Sequence, residues 1–284
     1  MNVPDDALEA AEVQCREVSL ASGRQAFCDM GSGIPVVLLH GISSGARSWA
    51  PLMHQATGVR WLAWDAPGYG ESSALAEPHP TARDYALRLA AWLEALALER
   101  VVLIGHSLGA LIASAYARDF PDRVSGLLLA DPAQGYRHAD PDKRDAVYRS
   151  RWTQLAAQGH AAYAAARAPR LLRENARVED IARVQAGMHR LEVSGFAQAS
   201  WMLANDSLED HASGTSVPTR VLCGDEDRIT PPSGARALAE RLGVAYRDIP
   251  CAGHISYIDA PAAFAAAVAD FMATLSPSQE KSDL

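Results

Sequence analysis

The chain carries no C-x-x-C pair: its four cysteines, Cys15, Cys28, Cys223 and Cys251, are widely separated. Neither a zinc site nor a disulfide framework is suggested, and reduced core thiols are expected. Basic surplus is also lacking. Acidic residues number 34 against 26 basic ones, a formal charge of -8, which leaves no electrostatic footprint for nucleic acid or an anionic membrane. No stretch approaches the ~18 apolar residues of a membrane span, and the opening MNVPDDALEAAEVQ is acidic where a signal peptide would be basic and then apolar. Export and membrane insertion are disfavoured, so a cytoplasmic location is expected. Repeats, low-complexity blocks and metal or nucleotide motifs are absent. These absences leave cofactor-free chemistry on a small neutral, apolar or aromatic substrate, with homo-oligomerisation open.

What is present is alternation. Val36 to Leu39, Val101 to Ile104 and Val124 to Leu129 are short continuous apolar runs, the texture of strands buried on both faces of a parallel sheet. Arg60 to Trp64, Thr219 to Cys223 and Ala245 to Ile249 add further strands. Between them lie helical patterns over Thr81 to Leu96, Leu108 to Asp119, Pro232 to Leu242 and after Pro261. Arg16 to Leu20 and Gln25 to Asp29, joined around Ser22-Gly23, fit an antiparallel hairpin at the sheet edge. From Gln134 to His211 the texture turns to alanine, arginine and leucine with no strand-like run. The expectation is an α/β core over 1–133 and 212–275, a helical cap over 134–211, and a flexible polar tail over 276–284.

Gly105-His106-Ser107-Leu108-Gly109 stands directly after one strand run and directly before a helical one. That is a G-x-S-x-G nucleophile elbow in the context it needs, with Ser107 as nucleophile and the following helix N-terminus turned toward a developing oxyanion. A serine hydroxyl needs a base, and His254 follows the Ala245 to Ile249 strand, where catalytic groups of open parallel sheets gather. Of the nine histidines, His54, His79, His138, His160 and His189 lie in polar stretches and are expected at the surface. A carboxylate should follow the Thr219 to Cys223 strand, since nucleophile, acid and histidine come in that chain order. Asp225, Glu226 and Asp227 all qualify on chemistry alone. The backbone N–H groups of Ile42, in His40-Gly41-Ile42-Ser43, and of Leu108 would form an oxyanion hole.

With these motifs in order, the chain resembles the α/β-hydrolase family from about residue 15 to 275. Asp65-Ala66-Pro67-Gly68-Tyr69-Gly70-Glu71-Ser72 is similar to that family's D-x-P-G-x-G-x-S loop, which shapes the site from behind. The resemblance implies a mostly parallel, doubly wound sheet with a helical cap. Its Gly-x-x-Asp-x-x-x-Pro spacing selects Asp227, four residues before Pro231, as the acid. It also implies a carboxylic-ester hydrolase. Ser107 argues against the dehalogenase and epoxide-hydrolase branches, which carry Asp at that position. C–C hydrolysis of ring-fission keto acids is the alternative, although HGISSG and GHISY depart from that branch's glycine-rich loop and post-histidine tryptophan. Perhydrolysis and non-catalytic small-molecule binding stand behind it. In the cap, Trp152, Leu155, Tyr163, Leu171, Leu172, Met188, Phe196, Trp201, Met202 and Leu203 suffice to line an apolar pocket, or to glue cap to core. Trp152, Trp201 and His106 are candidate substrate contacts, and Arg190 is a candidate for a substrate carboxylate.

Overall fold

The computed structural model describes residues 13–55 and 58–275. The acidic N-terminal stretch before residue 13 and the polar tail over 276–284 lie outside the described residues. The first strands, β1 (Gln14–Leu20) and β2 (Gly23–Gly31), form the expected hairpin at the sheet edge, and β2 pairs antiparallel with β4 (Val59–Trp64). The remaining strands, β3 (Ile34–Leu39), β5 (Val101–His106), β6 (Val124–Ala130), β7 (Thr219–Gly224) and β8 (Ala245–Ile249), are parallel to β4, in the sheet order β1-β2-β4-β3-β5-β6-β7-β8. Val36 to Leu39 and Leu127 to Ala130 are fully buried, which is why their sequence runs are continuous rather than alternating.

Helices cover the sheet. After β3 comes the short α1 (Ala50–Met53), and α2 (Ala82–Ala95) buries Tyr85, Leu89 and Trp92, with the Asp84 carboxylate accepting from the N-cap Thr81 N–H at 2.7 Å. The central α3 (Leu108–Asp119) follows β5 and is buried over nearly all its length. Between β6 and β7 the chain is helical: α4 (Pro141–Arg167), α5 (Val178–Met188), α6 (Val193–Asn205) and α7 (Leu208–Ala212). Gly159, at φ 75°, breaks α4 with a non-helical residue, a left-handed conformation that glycine adopts without a Cβ penalty. The chain closes with α8 (Pro232–Leu242), α9 (Ser256–Asp259) and α10 (Pro261–Leu275). Among the described residues no helix is long and apolar enough to cross a membrane.

Because β4 lies on one side of β3 and β5 on the other, the winding reverses between β3 and β5. Loops leaving those two strands part company there and open a crevice at their carboxyl ends. Leu39 pairs with Gly105 across that boundary, so the segment from His40 and the elbow from His106 emerge side by side.

The thiols need correcting. Cys15 and Cys28 are joined by a disulfide, Cys251 is exposed, and only Cys223 is a buried free thiol. Turning at Leu20 and Gly23, the hairpin sets Cys15 directly opposite Cys28, and the motif-based expectation overlooked this register. Reduction, or Cys15→Ser, is expected to lower unfolding free energy by up to about 3 kcal/mol, since the bridge closes a short loop of the unfolded chain. Urea titrations of the oxidised and reduced protein measure it; equal midpoints would contradict it. His160 also departs from the surface expectation, being half-buried with Nε2 bonded to the Leu191 carbonyl at 2.7 Å.

Candidate active site

The elbow forms because two glycines permit it. A Cβ on Gly105 would lie 2.5 Å from the Gly109 carbonyl oxygen, and one on Gly109 would run into the Leu39 carbonyl. Between them Ser107 takes φ 51°, ψ -114°, while its N–H donates to the Ala130 carbonyl at 2.9 Å. That positive φ is strained for a residue with a side chain. It lifts Oγ out of the strand end and over the first turn of α3.

Ser107 Oγ lies 3.0 Å from His254 Nε2, and His254 Nδ1 lies 2.9 Å from Asp227 Oδ2. All three residues are buried. Around Asp227, Oδ1 accepts from the Ile229 and Thr230 N–H groups at 2.7 and 3.0 Å, and Oδ2 accepts from Thr230 Oγ1 at 2.7 Å. Burial works against ionisation of this carboxyl, but the His254 hydrogen bond and charge, helped by Thr230 and Ile229, hold its pKa below the usual carboxylate range. Asp225 and Glu226 turn elsewhere: Asp225 accepts from the Ala252 N–H at 3.2 Å and Glu226 from the Glu174 N–H at 3.3 Å.

Ile42 and Leu108 both line the cavity in front of Ser107, and among the described residues neither N–H has a protein acceptor. Leu108 opens α3 and so has no intrahelical partner. The Ile42 peptide is fixed from behind by the Tyr69 hydroxyl, which donates to its carbonyl at 2.8 Å. His40 clamps the same loop: its Nε2 accepts from the Ala66 N–H at 2.9 Å, which leaves the ring proton on Nδ1, 2.8 Å from the Gly41 carbonyl. Burial lowers the His40 pKa, consistent with a neutral ring. Within the Asp65 to Ser72 segment, Ser72 Oγ donates to the Asp65 carbonyl at 2.8 Å, and the Asp65 carboxylate accepts from the Ala46 N–H at 2.7 Å. None of its residues lines the cavity.

The cavity has a volume of about 330 Å³. Ile42, Leu108, Leu171, Leu203, Ile229 and Ile255 give it apolar walls. His106 lines it too, but its Nε2–H is committed to the His254 carbonyl at 2.6 Å. Its pKa is pushed down to about 3, by burial first and by His254 next, so it is a neutral brace for the His254 loop.

The remaining substrate-contact expectations are corrected, since Trp152, Trp201 and Arg190 do not line this cavity. Trp201 stacks on His79 at 3.9 Å and meets Tyr148 edge-on, Trp152 packs beside Tyr148, and Arg190 faces Glu71 at 3.9 Å. Of the apolar cap residues singled out in the sequence, only Leu171 and Leu203 reach the wall. The arginines that do line it are Arg151 and Arg167, one on each side of the Gly159 break.

A second carboxyl sits behind the first. Asp131, at the end of β6, accepts from the Gly224 N–H at 2.7 Å and meets Ser256 Oγ at 2.5 Å. Burial, and then the Asp227 charge, raise its pKa well above the usual range, so two neighbouring acids divide into one ionised and one neutral. Asp131, Cys223 and Asp227 bring potential ligand atoms within 4.8 Å of one another. The donor set is a poor metal site: the Asp227 oxygens already accept hydrogen bonds, and burial above all holds the Cys223 thiol protonated. Asp131→Asn, a neutral isostere, should therefore keep kcat within about tenfold of wild type. A loss as large as that of Asp227→Asn would show that Asp131 is needed ionised.

The family model for the alpha/beta hydrolase fold matches residues 34–261. RutD of Caulobacter sp. (strain K31), to which a carbamate hydrolase activity is ascribed, is 31% identical over 254 residues, 84% of this chain and 90% of that protein. Abhydrolase domain-containing protein abhd-5.2 of Caenorhabditis elegans is 33% identical over 112 residues, and that match spans only 25% of its length. Among solved structures, a thermophilic esterase from Thermogutta terrifontis superposes with a TM-score of 0.81 at 27% identity, covering 92% of this chain and 99% of that one. The enol-lactonase of Burkholderia xenovorans LB400 shares the fold, with a TM-score of 0.80 at 23% identity over 91% of this chain and 100% of that one.

Proposed function

Because this chain belongs to the α/β-hydrolase family, we propose that it is a serine hydrolase that cleaves a small carboxylic ester through an acyl-enzyme. The observation that carries this reading is the continuous hydrogen-bonded line from Ser107 Oγ through His254 to Asp227, opening on a cavity lined by Ile42 and Leu108, whose N–H groups have no protein acceptor among the described residues.

Ionised Asp227 accepts the His254 Nδ1 proton, which leaves the Nε2 lone pair directed at Ser107. As Oγ bonds to the ester carbonyl carbon, its proton passes to Nε2, and the carbonyl oxygen takes up the electron pair as an oxyanion held by the Ile42 and Leu108 N–H groups. Collapse re-forms the carbonyl and breaks the C–O bond, and the departing alkoxide leaves as the alcohol with the Nε2 proton. Water then attacks the acyl-enzyme by the same route, its proton going to Nε2 and on to the departing Ser107 oxygen. His106, Tyr69 and His40 position the loops and exchange no proton.

A fluorophosphonate is expected to label Ser107 stoichiometrically, and p-nitrophenyl butyrate turnover should stop in step with labelling and be indifferent to exhaustive EDTA treatment. Mass spectrometry of the labelled peptide and rates before and after dialysis check this. Activity lost on chelation and restored by one divalent ion, or a label away from Ser107 that accompanies inactivation, would overturn the reading.

A further inference from the structure

Two arginines line the cavity without a counter-ion among the described residues. From Ala146 to Arg173 the chain carries five arginines and no acidic residue. Arg149 uses Asp145 from the preceding turn at 2.7 Å, whereas Arg151 and Arg167 have no carboxylate within salt-bridge distance among the described residues. The Nε atoms of both are buried with no hydrogen-bond partner. Among the described residues the one hydrogen bond of the Arg151 guanidinium is a marginal 3.5 Å approach to the Val147 carbonyl of its own helix. The Gly159 break separates them along α4, yet both meet the same cavity wall as Ser107 and His254. They also feel each other: burial first, and then the Arg151 charge, lower the Arg167 pKa. Two mutually repelling guanidinium groups at a half-buried wall are unfavourable until an anion arrives, and a carboxylate satisfies the planar fork of either one.

We infer that the ester cleaved here also carries a carboxylate, bound by Arg151 and Arg167 on the helical side of the cavity while Ser107 attacks the ester carbonyl. The inference rests on the ester-hydrolase reading, and it replaces the neutral substrate expected from overall charge. The two readings differ because a net charge of -8 describes the whole surface, while specificity depends on a few groups inside one cavity. Arg190, the arginine singled out in the sequence, is spent on Glu71 instead.

Matched substrates that differ only in charge test it. One pair is p-nitrophenyl hydrogen adipate with its methyl ester, carrying the carboxylate in the acyl part. The other is 4-acetoxybenzoate with its methyl ester, carrying it in the alcohol part. For at least one pair the acid should exceed its neutral partner in kcat/KM by about tenfold or more, as one charge-assisted bidentate contact allows. The double variant Arg151→Gln, Arg167→Gln should reduce that ratio by ~10–100-fold, and the corresponding double Lys variant should restore part of it. The ratio is its own control, because a misfolded fraction lowers both members equally. A wild-type ratio at or below one in both pairs, or a ratio unchanged in the Gln variant, overturns the inference. Were no ester of either pair turned over, the ester-hydrolase reading would fail. The arginine pair would then be judged by calorimetric titration of adipate and benzoate into wild type and the Gln variant: uptake lost in the variant supports it, and absence of uptake by wild type overturns it.

Discussion

Ser107→Ala is expected to lower kcat for ester turnover by roughly five to six orders of magnitude, because nucleophile and base act as one unit and either is idle without the other. The fold should survive. Alanine keeps the Cβ, the Ser107 N–H bond to the Ala130 carbonyl is a backbone bond, and among the described residues the only side-chain bond removed is that to His254. Melting temperature should move little. A second substitution separates chemistry from strain. Ser107→Gly should be equally inactive but more stable than Ser107→Ala by about 1 kcal/mol, since glycine holds φ 51° without the Cβ clash that serine and alanine share. Burst-phase release of p-nitrophenol and thermal melts of the three proteins make the measurement. Near-wild-type turnover by a pure Ser107→Ala preparation would sink the mechanism. A glycine variant less stable than the alanine one would remove the strain from the account of the elbow.

Sequence and structure agree best where burial is total. The runs Val36 to Leu39 and Val101 to Ile104 read as parallel strands because both faces are covered, and the elbow reads clearly because a Cβ on either of its glycines would meet backbone at 2.5 Å or less. Asp227 is legible only through its spacing to Pro231. Composition cannot distinguish it from Asp225 or Glu226, and the difference appears once Asp227 faces His254 while the others turn to Ala252 and Glu174. Side-chain direction in the helical segment was not legible. Trp152 and Trp201 are large and apolar, so they suit a pocket and an aromatic cluster equally well, and the cluster took them. Arg151 and Arg167 lie on one cavity because Gly159 interrupts α4, and no 3.6-residue periodicity carries across such a break. The acid-free stretch around them was the available signal. Cys15 and Cys28 were readable from the hairpin register, which motif spacing does not consult.

Asp227→Asn is expected to cost up to about four orders of magnitude in kcat, whereas Asp225→Asn should cost far less. In the variant, the side-chain oxygen is retained where the Ile229 and Thr230 N–H groups need an acceptor. That choice places the amide nitrogen at the former Oδ2 position, 2.9 Å from His254 Nδ1. Two donors cannot face each other, so Nδ1 becomes the acceptor and the ring proton moves to Nε2, the atom that must take the Ser107 proton. The shape is kept and the tautomer is wrong. Stability should respond as well. The folded-state pKa of Asp227 is depressed, so its contribution is complete above the unfolded value of about 3.9 and is lost as pH falls through the lower folded value. The asparagine variant should lack that acid-side loss. Among the described residues Asp225 bonds only the Ala252 N–H through its side chain, so its asparagine variant, which keeps an acceptor oxygen, should lose at most about 1 kcal/mol, as for a local cap. The decisive data are kcat at pH 8 for both variants, and melting temperatures from about pH 2 to about pH 8 for both variants and wild type. If Asp225→Asn proves folded and inactive while Asp227→Asn turns over like wild type, the acid has been assigned to the wrong residue. If both remain active, His254 holds its tautomer without a carboxylate, and the line from Ser107 to Asp227 is not the catalytic relay.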